Sequence, residues 1–568
     1  MIKKFLLITF LIFYTTIAST QVKQNFHGVG GDILADIIVR TKSGPDEVQN
    51  SLTPQQAQLY LEQTTIEIKN SLAAYGYFKP DVKTTLNHAK NNWVINFYIK
   101  PGELLRITKL DLQVSGEGLS DEAFQLYLQN FPLKQGDVVR SKVYHEAKSG
   151  LVDLAAQRGY FAAKIEQSTI FIDLQKYEAT ISIRFDTGPR YYFGEIHFLP
   201  SPYSRRFLQR FVPFKKEAPY SNKKIVKLQE NLGNSNFFQQ VIVTPRPEQA
   251  ENLNVPIEVE VIPRKKVQYS LGLGFGTDTG PRGIAELQVR RLNPSGHHFE
   301  ALIQPSQKMN HCEASYVIPG YNPVTDLYKL SAAAEEQHLD TSGKSRNEKI
   351  EASYIRTFFG WQQTLSLGLR DEHSVPTDGR PIINSTMLLP NLNWSRIKSD
   401  DPLNPNRGYQ INFNLRGATK SLISNTDFIQ GLVQAKALVP LSSVTRLVAR
   451  GQLGYTFISD IDQLPISLQF YTGGSQTVRG YQFQEIGPGR TLLVGSVELQ
   501  QKIKGNLYAA LFMDAGNVSN GLTNNLMKSV GVGVLWRSPI GAIEITLAQA
   551  LDKPGQPRLL QFSMGPEL

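Results

Sequence analysis

Tyr409-Gln410-Ile411-Asn412-Phe413-Asn414-Leu415-Arg416 alternates four apolar side chains with four polar ones without a break. Successive side chains of a strand point to opposite faces, so this stretch builds a strand with one greasy and one wet side. The same texture fills everything beyond about Lys266. Tyr269, Leu271, Leu273 and Phe275 alternate with Ser270, Gly272, Gly274 and Gly276. Leu453, Tyr455 and Phe457, then Val530, Val532, Val534 and Trp536, then Ile543, Ile545 and Leu547 keep the spacing, and Gly, Pro, Asn and Asp punctuate the segments. Residues 267–568 number 302. At roughly 19 residues per strand with its connection, that makes about sixteen strands of a transmembrane barrel with a lipid-facing wall and a wet interior. A soluble β-sandwich shares the alternation; the 23 Tyr and 29 Phe, with the leader below, favour the membrane.

The chain has 568 residues, 41% of them hydrophobic, and a formal charge of +10. That balance excludes a disordered chain and a polytopic helical membrane protein. Its one cysteine, Cys312, excludes an intramolecular disulfide framework and a multi-cysteine metal site. Residues 1–20 read as a signal peptide: Lys3 and Lys4, an apolar run from Phe5 to Ile17, then Ala18, Ser19 and Thr20, with cleavage expected between Ala18 and Gln21. An uncleaved anchor is the alternative, although the run falls short of the ~20 residues a spanning helix needs.

Between leader and barrel the pattern repeats three times. The first helix opens at Thr53 and Pro54 and closes at Gly76-Tyr77-Phe78; its unit ends on the alternation Ile95, Phe97, Ile99. The second opens at Ser141, carries Val143, Ala147, Leu151 and Leu154, closes at Gly159-Tyr160-Phe161, and ends on Ile181, Ile183, Phe185. The third opens at Ser221, carries Ile225, Leu228 and Leu232, reaches Phe237-Phe238, and ends on Ile257, Val259, Val261. Each unit is expected to cap its helix with a hydroxyl, end it at a glycine or its equivalent, and enter a strand through an aromatic. From Gly76 to Gly159 is 83 residues, and from Gly159 to Asn236 is 77. The expected order is β-α-α-β-β in units 24–103, 104–189 and 190–265, ahead of a barrel at 266–568.

This arrangement resembles POTRA domains, the periplasmic modules that precede a barrel in the outer-membrane assembly superfamily. Residues 190–266 hold thirteen basic against seven acidic side chains, among them Arg205, Arg206, Arg210, Lys215, Lys216, Lys223, Lys224 and Lys227. Such a face suits anionic outer-membrane lipid; a plain solvated helix face explains it as well, and an exported chain meets no nucleic acid.

Gly473-Gly474-Ser475-Gln476-Thr477-Val478-Arg479-Gly480-Tyr481 resembles the VRGF/Y loop of that superfamily, which folds back into the barrel, and Phe512-Met513-Asp514-Ala515-Gly516 matches its F-x-D-x-G strand. A guanidinium inside a lumen is costly unless paired, and Asp514 is the expected partner of Arg479. Val478, Arg479, Gly480, Tyr481 and Asp514 are thus the expected loop anchor. An exposed turn aspartate and an ordinary surface arginine are the plainer alternatives.

Gly276-Thr277-Asp278-Thr279-Gly280-Pro281-Arg282, Asn404-Pro405-Asn406-Arg407-Gly408-Tyr409 and Phe562-Ser563-Met564-Gly565-Pro566-Glu567-Leu568 are similar to the TamA family, barrel subunits of the translocation and assembly module. Three modules fit that family better than BamA-type insertases, which usually carry five, or two-partner secretion transporters, which usually carry two. The tail after Met564 departs from chains that end at an aromatic.

The resemblance implies a Gram-negative outer-membrane factor for inserting or exporting autotransporter-like clients. It also implies a TamB-like partner anchored in the inner membrane and docking on the first module, and a lateral seam between first and last strands. Expected seam residues are Tyr269, Leu271, Gly272, Leu273, Gly274 and Phe275 against Leu560, Phe562 and Met564. Glycines in a strand interior weaken it, and a parted edge templates an incoming strand; alternatively the glycines only make room for the loop. A passive channel is the rival from another class. No enzyme, cofactor or metal site is expected: His297, His298, His311 and Cys312 fit no zinc spacing, and Gly272-Leu273-Gly274-Phe275-Gly276 lacks the helix of a dinucleotide loop.

Overall fold

The computed structural model describes residues 23–42, 53–89, 92–277, 280–377, 379–402, 404–521, 525–538 and 541–565. The expected signal peptide, Asp278, Thr279 and the tail from Pro566 lie outside the described residues. The chain divides into two compact units, one reaching Ile196 and taking in Phe214–Val226 and Pro245–Ile257, the other comprising His197–Pro213, Lys227–Thr244 and Glu258 onward.

In the first unit, Lys23–His27 runs parallel to Asn92–Lys100, which pairs antiparallel with Asp81–Ala89. Helices Gly31–Lys42 and Pro54–Ala74 intervene in sequence, and Leu61, Ile68 and Leu72 join Ile95, Phe97 and Ile99 in the core. Thr53 closes a capping box: its hydroxyl accepts from the Gln56 N–H at 3.3 Å and the Gln56 side chain accepts from the Thr53 N–H at 2.9 Å. The second module repeats the plan, with Ile107–Ser115 parallel to Glu178–Asp186 and antiparallel Lys164–Asp173 outside. Its helix Ser141–Arg158 is not hydroxyl-capped. Arg140 holds the cap position without a side-chain bond, and Ser141 is already helical. A third sheet of the same order comprises Tyr192–Phe198, Asn254–Pro263 and Phe238–Pro245, so the described residues form three β-α-α-β-β modules.

Two glycines of the repeat do the same job. Gly76 (φ 98°) and Gly159 (φ 85°) are left-handed, and their carbonyls accept from Leu105 and Tyr191 of the following module at 2.9 and 2.8 Å. A Cβ on Gly76 would lie 2.5 Å from Val138 Cγ1, and one on Gly159 2.6 Å from Tyr220 Cβ, so only glycine serves both the turn and the junction.

The second unit carries sixteen antiparallel strands in strict sequence order, from Val267–Gly276 to Arg558–Gly565. Alternation sets which face each side chain takes. Leu271 and Leu273 are 85% and 93% exposed on the outer wall while Gly272 and Gly274 turn inward. Among the described residues no helix is long and apolar enough to span a membrane; the strands satisfy their backbone groups pairwise and span it instead. Between strands Thr445–Ile458 and Thr491–Lys504 the chain leaves the wall as a long loop with its own hairpin, Phe470–Thr472 with Ile486–Gly489.

Candidate functional site: the inserted loop and the seam

The loop turns inward, and the fold surrounds Arg479 with carboxylates. Inward positions of a strand recur every second residue, so Ser496 and Glu498 share one inner face and Phe512 and Asp514 another. Arg479 Nε donates to Asp514 Oδ2 at 2.8 Å and Nη2 to Asp514 Oδ1 at 2.9 Å. The Arg479 backbone N–H donates to Asp514 Oδ2 at 3.0 Å, and Ser496 Oγ to Asp514 Oδ1 at 2.6 Å. Nη1 reaches Glu498 and also Glu544 Oε1 at 3.3 Å, and the guanidinium lies on the Phe512 ring, 3.3 Å from its centroid. Arg479 and Asp514 are both wholly buried. A two-point guanidinium–carboxylate pair with a third contact from the backbone fixes both position and orientation.

Val478 and Tyr481 pack with Phe470, Ile486, Leu492, Val494 and Val518. Gly516 leaves the space for Val478, since a Cβ there would lie 2.8 Å from Val478 Cγ2. Gly480 N–H donates to Gln561 Oε1 at 3.0 Å, and Gln561 Nε2 to the Tyr481 carbonyl at 3.2 Å. A second hold lies earlier in the loop, where Ser467 Oγ donates to Glu372 Oε2 at 2.6 Å beside Arg370, and the Ile466 N–H to Ser374 Oγ at 3.2 Å.

The first and last strands are joined differently from every other neighbouring pair. Among the described residues no ladder runs between them. Among the described residues, the Thr277 N–H donates to the Phe562 carbonyl at 3.3 Å and the Phe562 N–H to Thr277 Oγ1 at 3.1 Å. Arg282 Nη2 donates to the Met564 carbonyl at 2.9 Å, and the Phe275 and Phe562 rings lie 6.1 Å apart. These contacts fall at Phe275 and beyond, whereas Tyr269, Leu271 and Leu273 stand 75–93% exposed and Leu560 63%. Gly272, Leu273 and Gly274 line, with Met564 and Gly565, a hollow of about 450 Å³. A Cβ on Gly272 would lie 2.6 Å from Ile284 Cγ2 and one on Gly274 2.9 Å from Arg282 Nε, both side chains of the paired second strand.

Sequence reasoning missed Glu498, Glu544, Gln561, Thr277 and Glu372. Ser496, Glu498 and Gln500 do form an alternating polar series that marks an inner face, but nothing local tells which loop it receives. His311 and Cys312 fall on adjacent, oppositely directed positions of strand Met309–Pro319, with His311 beside Glu313 and Glu335.

Comparison with known proteins agrees with this architecture. Residues 295–567 match the Omp85 superfamily domain, residues 27–101 match POTRA domain TamA domain 1, and residues 191–264 match the POTRA family described as surface antigen variable number repeat. Outer membrane protein assembly factor BamA of Neisseria meningitidis serogroup B is 22% identical over 461 residues, 67% of this chain and 57% of that protein. The factor of the same name from Nitratidesulfovibrio vulgaris is 24% identical over 377 residues, 61% of this chain and 47% of that protein. The chain spans about half the length of the curated relatives it matches. The crystal structure of BamA from Haemophilus ducreyi lacking POTRA domains 1-3 superposes with a TM-score of 0.70 at 17% identity, over 80% of this chain and 99% of that one.

Fold and matches together define the class: a Gram-negative outer-membrane β-barrel with periplasmic POTRA modules ahead of it. The barrel belongs to the Omp85 superfamily, and the first module is a POTRA domain of the TamA type.

Proposed function

We propose that this protein assists the insertion or export of other outer-membrane proteins through the seam between its first and last strands, in the manner of the TamA branch. The observation that carries the reading is the seam itself. Elsewhere in the barrel, neighbouring strands exchange continuous ladders. Here Thr277 and Arg282 supply the polar contacts largely with side chains, so parting the strands gives up few hydrogen bonds. An incoming strand would replace them with backbone bonds along an edge already exposed. Val478, Arg479, Gly480, Tyr481 and Asp514 anchor the loop that keeps the lumen closed meanwhile.

The names of the relatives support outer-membrane assembly. The TamA-type match at residues 27–101 supports a TamB-like partner on the first module, which we place at 24–103, with the others at 104–189 and 190–265 and the barrel at 266–568. Autotransporter-like proteins are the proposed clients.

The test joins Phe275→Cys to Phe562→Cys by a disulfide in a Cys312→Ser background and follows client assembly in a deletion strain. Assembly should stop in the oxidised protein and return on reduction; full assembly by the locked barrel would remove seam opening from the mechanism. Photo-crosslinking from Gln56 then sorts the branch. A large inner-membrane-anchored protein fits the TamA reading, lipoproteins a BamA-type insertase, and one secreted substrate a dedicated exporter.

A further inference from the structure

The turn between strands Ile383–Ser399 and Gly408–Ala418 belongs to the Asn404-Pro405-Asn406-Arg407 stretch singled out above, and the seam and the loop leave it without a role. It does not stay with its own two strands. The Pro405 carbonyl accepts from Arg446 Nη1 at 2.6 Å, and the Asn404 carbonyl accepts from Arg537 Nη2. Arg446 lies on strand Thr445–Ile458 and Arg537 on strand Met527–Ser538, two and five strands farther round the wall than the turn's own second strand. Both guanidiniums flank one ring, 5.5 and 5.6 Å from the centroid of Tyr508, and Arg537 Nη1 donates to the Tyr508 hydroxyl at 3.2 Å. Arg446, Arg537, Tyr508 and Pro405 are all buried.

Hydrogen bonds within the turn tie its described residues together. The carboxylate of Asp400 accepts the N–H groups of Asp401, Asn406 and Arg407 at 2.9–3.1 Å, and Asp401 accepts from Asn404 at 2.8 Å. A preorganised turn that presents two carbonyls to two arginines across the barrel loses little entropy on seating.

Its position sets its effect. Strands alternate in direction, so Gly408, Thr445 and Leu507 begin at the same end of the barrel as Val267, the periplasmic end. Tyr508 and Asp514 share one inner face of strand Leu507–Ser519, six residues and roughly 20 Å apart. The turn is held near the periplasmic mouth and the loop deeper in. Between them runs an unbroken series of hydrogen bonds. Arg446 Nε donates to Gln500 Oε1 at 2.5 Å, Gln500 Nε2 donates to Glu498, and Glu498 receives Arg479 of the loop.

We propose that the turn residues Asn404, Pro405, Asn406 and Arg407 form a strap across the periplasmic mouth of the lumen, latched by Arg446 and Arg537 and released together with the inserted loop. That the strap admits a client rests on the assembly reading; that it closes the mouth and is coupled to the loop does not, and the experiment measures only the latter two.

Pro405→Cys in the full-length Cys312→Ser protein, reconstituted in vesicles, is labelled with a polar maleimide, and Asn406→Cys on the exposed side of the turn is the reference. With the strap seated, Pro405→Cys should label at least tenfold more slowly than Asn406→Cys. Adding Arg446→Ala should bring the two rates within about twofold. Arg479→Ala, which frees the loop, should also accelerate Pro405→Cys severalfold, and Gln500→Leu should abolish that acceleration. Folding of each variant is scored by heat-modifiable mobility in gels. Equal rates in the parent overturn the strap. A rate insensitive to Arg479→Ala overturns the coupling. Should Arg446→Ala fail to fold, Tyr508→Leu, which removes the shared ring, takes its place with the same expectation.

Discussion

Gln561 of the last barrel strand holds Gly480 of the inserted loop: its side-chain carbonyl accepts from the Gly480 N–H at 3.0 Å, while its NH₂ donates to the neighbouring Tyr481 carbonyl at 3.2 Å. The next residue, Phe562, makes the seam contacts to Thr277. One strand end is thus held from inside by the loop and from the side by the first strand, so loop position and seam closure act on adjacent residues.

Replacing Gln561 by Leu leaves a buried N–H and carbonyl of the loop unpaired, a loss of about 1–3 kcal/mol. Urea unfolding followed by heat-modifiable mobility should show a lowered midpoint, and a cysteine in the loop should become more reactive. An unchanged midpoint with an unreactive loop would show that the clamp contributes nothing.

Removing Arg479 is more severe. Arg479→Ala takes the guanidinium away from Asp514, Glu498 and Glu544 in the wall interior, and breaking a buried pair from one side costs about 3–5 kcal/mol. Lysine offers a point charge in place of the two-point fork, so Arg479→Lys should recover only part of the loss. Single-channel conductance should rise for both variants as the loop leaves the lumen. If Arg479→Ala folds with wild-type stability and stays closed, the loop is held elsewhere, with the Glu372–Ser467 contact the first place to look.

Thr277→Val keeps the shape of the side chain and removes the hydroxyl that accepts from Phe562. The seam should loosen by about 1 kcal/mol, read as slower disulfide formation between Phe275→Cys and Phe562→Cys under mild oxidation. Arg282→Met, removing the bond to the Met564 carbonyl, should add to it. A rate equal to that of the Thr277 parent would show that the hydroxyl contributes nothing to the closure.

The second POTRA module carries a pH dependence. Burial raises the Asp121 carboxyl, but the Ala123 N–H with Arg158 and Arg190 outweighs it and holds the group below its ordinary 3.8. A depressed folded-state value means stability is fully present above the unfolded value and is lost as pH falls through the folded one. Helix Glu122–Gln129, which Asp121 caps, should therefore keep its amide protection at pH 5 and above and lose it progressively below the ordinary carboxyl range. Asp121→Asn should show weakened protection at pH 6, where wild type has none of the loss. Identical exchange in the two proteins at pH 6 would refute the assignment.

The alternation from Tyr269 to Leu547 and the three helix–aromatic–strand repeats are local patterns. Period two and period 3.6 are imposed by backbone geometry on any chain that must bury one face, so they read directly from residue order. The capping of the second helix misled, because Ser141 suits a cap but Arg140 occupies it; a single hydroxyl does not decide a boundary when packing of Tyr144, Ala147 and Leu151 sets the helix phase.

Residue order alone determined three α+β modules and a barrel of about sixteen strands, together with a loop arginine and an aspartate thirty-five residues on. Tertiary structure decided what converges. Glu498 and Glu544 meet Arg479 from 19 and 65 residues away, Gln561 meets Gly480 from 81, and Arg537 meets Asn404 from 133. A closed wall brings strands remote in sequence to face one lumen, and which inward side chains meet there depends on register and on the path of a loop and a turn. Neither register nor path is encoded in any local spacing.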